Sequence, residues 1–134
     1  MTDRLLLDTN IIIGAFVEPK RLSVKTRARL SSAETLKMVS SASLWELAIK
    51  KQKTPGSLAF TPAELLEAIQ SQRVDILDIT PDIVVGIADA ERHHGDPFDH
   101  LIMAHARSAK ATLITSDKTL SRYEGDIEVV TLKP

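Results

Sequence analysis

The sequence, 134 residues long, contains no cysteine. A disulfide scaffold, a thiolate metal site and a cysteine nucleophile are therefore excluded. Glycine is scarce, with five in all, and none sits in a phosphate-cradling loop. That argues against a P-loop or a dinucleotide-binding fold. No G-x-S-x-G elbow of the kind that carries a nucleophilic serine is present. No apolar run approaches the roughly 20 residues a membrane span needs. Asp3 and Arg4 precede only a short apolar run that Asp8 interrupts, so no signal peptide is expected and the expected setting is cytoplasmic. Neither sign of charge dominates: 17 basic and 18 acidic residues give a net charge of −1. That balance neither supports nor excludes a nucleic-acid partner, because an acidic centre can offset a basic groove.

What is present suffices for one domain over residues 1–134, with a core that needs no covalent staple. Short β-rich runs at residues 4–7, 37–40, 74–77, 112–115 and 128–131 alternate with helical patterns. Thr61-Pro62-Ala63-Glu64 predicts a helix start, with a capping threonine, proline at the first position and a glutamate three after the cap. Thr80-Pro81 opens a second helix, with Ile83, Val84, Ile87 and Ala88 on one face and His93-His94-Gly95 at its end. Asp96-Pro97 opens a third, in which Phe98, Leu101, Ile102, His105, Ala106 and Ala109 share a face. The stretch 27–36 gives no clear pattern. Alternating strands and helices predict an α/β fold of three layers around a mostly parallel sheet.

In such a sheet, sites form outside the carboxyl ends of the strands. Asp8 directly follows the first strand, Glu46 lies just beyond the second, and Asp117 follows the fourth. Asp99 stands in the first turn of the helix preceding that fourth strand. Each acid also has a plainer role available. Asp8, Asp96 and Asp117 suit helix caps, Asp99 suits the positive end of a helix dipole, and Ser43-x-x-Glu46 reads as a capping box. Four carboxylates gathered at one edge would, however, repel one another and raise their own pKa values. A hard divalent cation such as Mg²⁺ or Mn²⁺ makes such a cluster tolerable, and phosphodiester hydrolysis is the chemistry it serves.

Four segments, RLLLDTNIII, VSSASLWELAIK, HHGDPFDHLIMAHA and LITSDKTLSRYE, resemble the successive signatures of PIN domains. In particular they resemble the VapC-like toxins of bacterial type II toxin–antitoxin pairs. The resemblance spans nearly the whole chain, and D-P-F-D followed by L-I-T-S-D is its most specific part. It implies an α/β/α sandwich with a parallel sheet in the order 3-2-1-4-5, and a Mg²⁺- or Mn²⁺-dependent endoribonuclease. It also implies a homodimer inhibited, in a heteromeric complex, by a cognate antitoxin whose C-terminal segment covers the acidic cleft. By position, the catalytic and metal-holding acids are Asp8, Glu46, Asp99 and Asp117. Thr9 and Ser116 match small polar positions able to hold a metal-bound water or a carboxylate, and Asp96 stands beside the set chiefly as a cap. Two positions depart from the pattern: His100 stands where arginine is common, and His105 where glutamine is.

Lys50, Lys51 and Lys53 follow the Glu46 segment and are candidates for contacts to RNA phosphates, as is His100. Lys20, Arg21, Lys25, Arg27 and Arg29 read as a solvated face. The apolar faces at 11–16 and 30–36 are either antitoxin contacts or ordinary core, and Trp45 and Leu44 read as core or interface. The histidine spacing, with His93 and His94 adjacent and His100 and His105 five apart, does not suit zinc. A haloacid-dehalogenase-like phosphatase needs a second acid two residues after Asp8, where Asn10 stands, and a receiver-like phosphoacceptor domain needs an acid pair there. The alternative of another class is a non-catalytic PIN-type module that binds RNA or protein; the presence of all four acids speaks against it.

Overall fold

The computed structural model describes residues 3–90, 96–123 and 125–134. Its frame is a five-stranded sheet built from β1 (Asp3–Leu7), β2 (Thr35–Ser40), β3 (Val74–Leu77), β4 (Thr112–Thr115) and β5 (Ile127–Val129). The spatial order is 3-2-1-4-5 and every pairing is parallel. Among the described residues the α-helices are α1 (Thr9–Phe16), α2 (Val24–Ser31), α3 (Ser41–Lys53), α4 (Pro62–Gln70), α5 (Pro81–Gly86) and α6 (Pro97–Ala109). The expected strands all form, within two residues of the expected ends. The unpatterned stretch 27–36 holds the end of α2 and the start of β2.

The two faces of the sheet explain the unbroken apolar run in β1. Leu5 and Leu7 point to one side, where they pack with Val39 and Ile114 against Ile11 and Ile12 of α1, Leu47 of α3 and Leu65 and Ile69 of α4. Leu6 points to the other side, joining Met38 and Leu113 under Leu101, Ile102 and Ala106 of α6. All three leucines are fully buried. A strand covered on both faces has no solvated side, so alternation disappears from its sequence. Gly14 of α1 lets Leu22 approach closely: a β-carbon there would lie 3.0 Å from Leu22 Cδ2, and the leucine would have to give way.

Several start signals are realised as expected. Thr61 Oγ1 accepts the Glu64 N–H at 3.0 Å and Glu64 Oε1 accepts the Thr61 N–H at 2.9 Å, a complete capping box. Thr80 and Asp96 cap α5 and α6. Two expectations need correction. The α5 helix ends at Gly86 and continues as a 3₁₀ turn, Ile87–Asp89, so only Ile83 and Ile87 reach the core while Val84 stays half-exposed. Ser43 does not cap α3: that role belongs to Ser40, whose Oγ accepts the Ala42 N–H at 3.0 Å. The last residue of β2 is thus already the cap, and Ser43 and Glu46 lie inside the helix. His93 and His94 lie outside the described residues.

The face at 11–16 is mainly core, whereas in 30–36 only Leu30 is buried and residues 31–34 are exposed. Ile11, Ile12 and Leu30 are buried, and Ile13 and Phe16 pack against the same cluster. Trp45, by contrast, is 48% exposed, and its ring meets Phe98 edge-on at 4.8 Å between centroids. No helix among the described residues is long and apolar enough to cross a membrane. Because the α4 cap lies apart from the acids, Thr61→Ala is expected to cost about 1 kcal/mol of stability in urea unfolding. A change below about 0.3 kcal/mol would show that the box contributes little.

Candidate functional site

Two strands and two helices deliver the acids to one place. Asp8 ends β1 and caps α1; its backbone N–H bonds the Ile114 carbonyl of β4 at 2.9 Å, which fixes it between the two strands. Its carboxylate is buried, with 8% exposure. Oδ1 accepts the Thr9 N–H at 2.9 Å and Oδ2 accepts the Thr115 hydroxyl at 2.6 Å. Thr115 in turn accepts the Asp117 N–H at 3.0 Å, so one hydroxyl ties the first acid to the backbone of the fourth.

Glu46 projects from the second turn of α3. Its Oε1 accepts the Thr9 hydroxyl at 2.6 Å, and that hydroxyl lies 3.0 Å from the Ser43 hydroxyl. Thr9 has one hydroxyl proton; with that proton on the carboxylate, Ser43 is the donor of the second bond. Asp117 Oδ1 accepts both the N–H and the hydroxyl of Thr119, at 2.9 and 2.7 Å, capping the 3₁₀ turn Lys118–Arg122. Asp96 Oδ1 accepts the Phe98 N–H at 2.9 Å. Asp99 differs from the rest. Its side chain is half-buried and accepts no hydrogen bond from any described residue.

Asp8, Thr9, Glu46, Lys50, Asp96, Asp99 and Asp117 all line one pocket of about 180 Å³ at the carboxyl ends of the strands, together with Asn10, Ile13 and Leu47. Asp96 is therefore a wall of the pocket as well as a cap. Ser116 lies outside the lining and makes no hydrogen bond to the acids; Thr115 does the work expected of it. Of the lysines only Lys50 reaches the pocket; Lys51, Lys53 and His100 do not line it. Sequence reasoning missed Thr115 and Ser43. The T-S-D spacing held a signal, because a residue two before Asp117 can reach the Asp117 N–H while its own strand faces β1. A larger cavity, about 270 Å³ and mostly apolar, opens beside the amino ends of β4 and β5, away from these acids.

Gathering these charges has an electrostatic cost. Burial above all pushes the Asp99 carboxyl up to about 7, and the charges of Asp96, Asp8, Glu46 and Asp117 add to the rise. Burial likewise raises Asp8, against the opposing bonds from Thr115 and Thr9. Burial raises Glu46 too, with Thr9 and Lys50 pulling the other way. Among the described residues no three His, Cys, Asp or Glu side chains stand close enough to make a ready ligand group. Three of the five carboxylates, Asp8, Asp96 and Asp117, are partly spent on capping. The donor set is nonetheless oxygen-only, and it suits a hard cation that keeps several waters and takes only one or two carboxylates directly.

A raised carboxylate pKa makes the folded state bind its proton more tightly than the unfolded chain does. The folded state therefore loses stability as pH climbs from the ordinary aspartate value toward about 7, and the loss levels off above that. Asp99→Asn is expected to raise the urea midpoint at pH 8, change it little at pH 4, and flatten the slope between. An equal effect at both pH values would show that Asp99 does not carry the repulsion.

The PIN domain family model matches residues 5–126. Among solved structures, the chain is similar to one in VapBC2 from Rickettsia felis bound to a DNA fragment from their promoter. Identity is 20%, the TM-score is 0.68, and 94% of this chain and 98% of that one are covered. It is similar to one in DNA-bound VapBC from Salmonella typhimurium at 22% identity and TM-score 0.65, with 96% and 98% covered. It is also similar to one in VapBC-5 from Mycobacterium tuberculosis, of the VapBC family of toxin-antitoxin systems, at 18% identity and TM-score 0.58, again with 96% and 98% covered. These likenesses establish the fold; the search of curated proteins finds no match. With the strand order, the strand-end acids and the family match all agreeing, the chain belongs to the PIN domain family.

Proposed function

We propose that this protein is a metal-dependent endoribonuclease acting as the toxin of a toxin–antitoxin pair. The observation that carries the proposal is Asp99: a half-buried carboxyl with no hydrogen-bond donor among the described residues, facing four other acids in one small pocket. Left alone, such a cluster destabilises the fold and repels a phosphate backbone. Those costs make sense at a site that spends part of its life holding divalent cation. Membership of the PIN family and likeness to chains of VapBC complexes support the toxin assignment.

Asp8, Glu46, Asp99 and Asp117 are the residues that would hold Mg²⁺ or Mn²⁺. When bound, the ion supplies a Lewis acid that lowers the pKa of a coordinated water and shields charge on the phosphate. The chain's own contribution is orientation. Thr115 and the Thr9 N–H fix both oxygens of Asp8, and Thr9 fixes Oε1 of Glu46, leaving Oε2 free. Thr119 occupies Oδ1 of Asp117, leaving Oδ2 toward the pocket's contents. Asp99, which accepts no hydrogen bond from any described residue, keeps its carboxylate available to the ion or to a water held by it. The Lys50 ammonium offers a contact to an RNA phosphate at the rim. The partners that follow are an RNA substrate, a second copy of the chain and an antitoxin segment. An arginine from such a segment would pair with these carboxylates and compete with the metal.

Asp8→Asn and Asp99→Asn are each expected to fold and to lose EDTA-sensitive RNA cleavage by about 100-fold or more, since each removes preorganised charge at the reacting centre. Their expression should relieve a growth arrest that the intact chain imposes. Cleavage at the wild-type rate by either variant would contradict the assignment. Growth arrest without RNA cleavage would favour the non-catalytic binding reading.

A further inference from the structure

His105 lies in the middle of α6, only 3% exposed, and plays no part in the scheme above. Its Nε2 is 2.9 Å from the Asp78 carbonyl oxygen, and its Nδ1 is 2.8 Å from Ser40 Oγ. A carbonyl can only accept, so Nε2 carries the proton and Nδ1 presents a lone pair. Ser40 Oγ already accepts the Ala42 N–H, so its own proton is free to go to Nδ1. Every donor and acceptor in the chain Ala42–Ser40–His105–Asp78 is then used once, in one direction. The neutral Nε2–H tautomer is the form that completes this arrangement.

The elements joined in this way matter for the acids. Ser40 is both the last residue of β2 and the cap that fixes where α3 begins; Asp78 directly follows β3, which pairs with β2. Glu46 stands six residues after Ser40, and Asp99 six before His105. Each acid is thus about 9 Å along its helix from one end of the same hydrogen bond. The helices also meet through the Trp45–Phe98 ring pair, one residue before each acid.

We infer that His105 is a positioning residue, a buried strut that sets the start of α3 against α6 and so fixes the spacing of Glu46 and Asp99. The inference rests on the ribonuclease reading for its functional consequence, but the strut itself is a statement about geometry. An inert core histidine would serve equally well as leucine. A strut would not. Glutamine restores it, because a carboxamide holds one acceptor and one donor at nearly the spacing of the two ring nitrogens.

The test compares wild type, His105→Gln, His105→Leu and His105→Met, each verified as folded at the assay temperature. The readouts are Mn²⁺ affinity by electron paramagnetic resonance titration, and kcat and KM on an RNA oligonucleotide. His105→Gln should stay within about threefold of wild type on every measure, while folded His105→Leu should lose about tenfold in Mn²⁺ affinity and in kcat with KM little changed. Wild-type behaviour of the leucine variant overturns the inference, and so does a glutamine variant as impaired as the leucine one. If His105→Leu does not fold, His105→Met, which keeps the apolar volume and removes both ring-nitrogen bonds while leaving the Ser40 cap in place, is judged by the same criteria. If the wild type neither binds Mn²⁺ nor cuts RNA, the ribonuclease reading fails and the strut is judged by the amide resonances of Glu46 and Asp99. They should move in His105→Met and stay in place in His105→Gln; unmoved resonances in His105→Met overturn the inference.

Discussion

A carboxylate buried between two parallel strands is the constraint on which the rest of this structure turns. Asp8 sits where β1 passes into α1, almost without solvent, and its two oxygens are held by an N–H of the next residue and by a hydroxyl from β4. Burial alone would favour protonation. The two bonds oppose that, and the one from Thr115 also ties the end of β1 to β4. The covering of Leu5, Leu6 and Leu7 on both faces makes this end of the sheet rigid and dry. The charge is therefore placed by the same packing that makes it expensive.

The remaining acids follow from that placement with decreasing restraint. Glu46 is held at one oxygen by Thr9, Asp117 at one oxygen by Thr119, and Asp99 at neither by any described residue. Electrostatic cost accumulates on the least restrained member, whose carboxyl is pushed up to about 7. Capping and clustering prove to be one arrangement. Asp8, Asp96 and Asp117 each accept a backbone N–H at the start of a helix or 3₁₀ turn, and all three still line the pocket.

Much of this was legible in the sequence because the signals are local. Uninterrupted runs such as RLLL marked doubly covered strands, and Thr61-Pro62 and Asp96-Pro97 marked helix starts at the residues where they occur. The order of the acids along the chain placed them at strand ends once a parallel sheet was inferred. What escaped notice depends on register or on distant partners. Ser40, Ser41 and Ser43 compete for one cap, and the local pattern Ser43-x-x-Glu46 pointed to the wrong serine because the strand was expected to end with a loop behind it. Ser116 was singled out by resemblance alone, whereas it is Thr115 that β4 turns toward Asp8. The Ser40–His105 and His105–Asp78 bonds join residues 65 and 27 positions apart, which no local pattern reports.

Repulsion stored among these acids is there to be relieved by a divalent cation. That relief is tested most directly by thermal unfolding at pH 8 of the wild-type protein and of Asp8→Asn, with and without Mg²⁺ or Mn²⁺. A saturating ion binding only the folded state, at about 100 times its Kd, stabilises by about 2.7 kcal/mol. The Tm of the wild type should rise by several degrees and that of Asp8→Asn little or not at all. A wild-type Tm indifferent to both ions, or an equal rise in the two proteins, would contradict such relief.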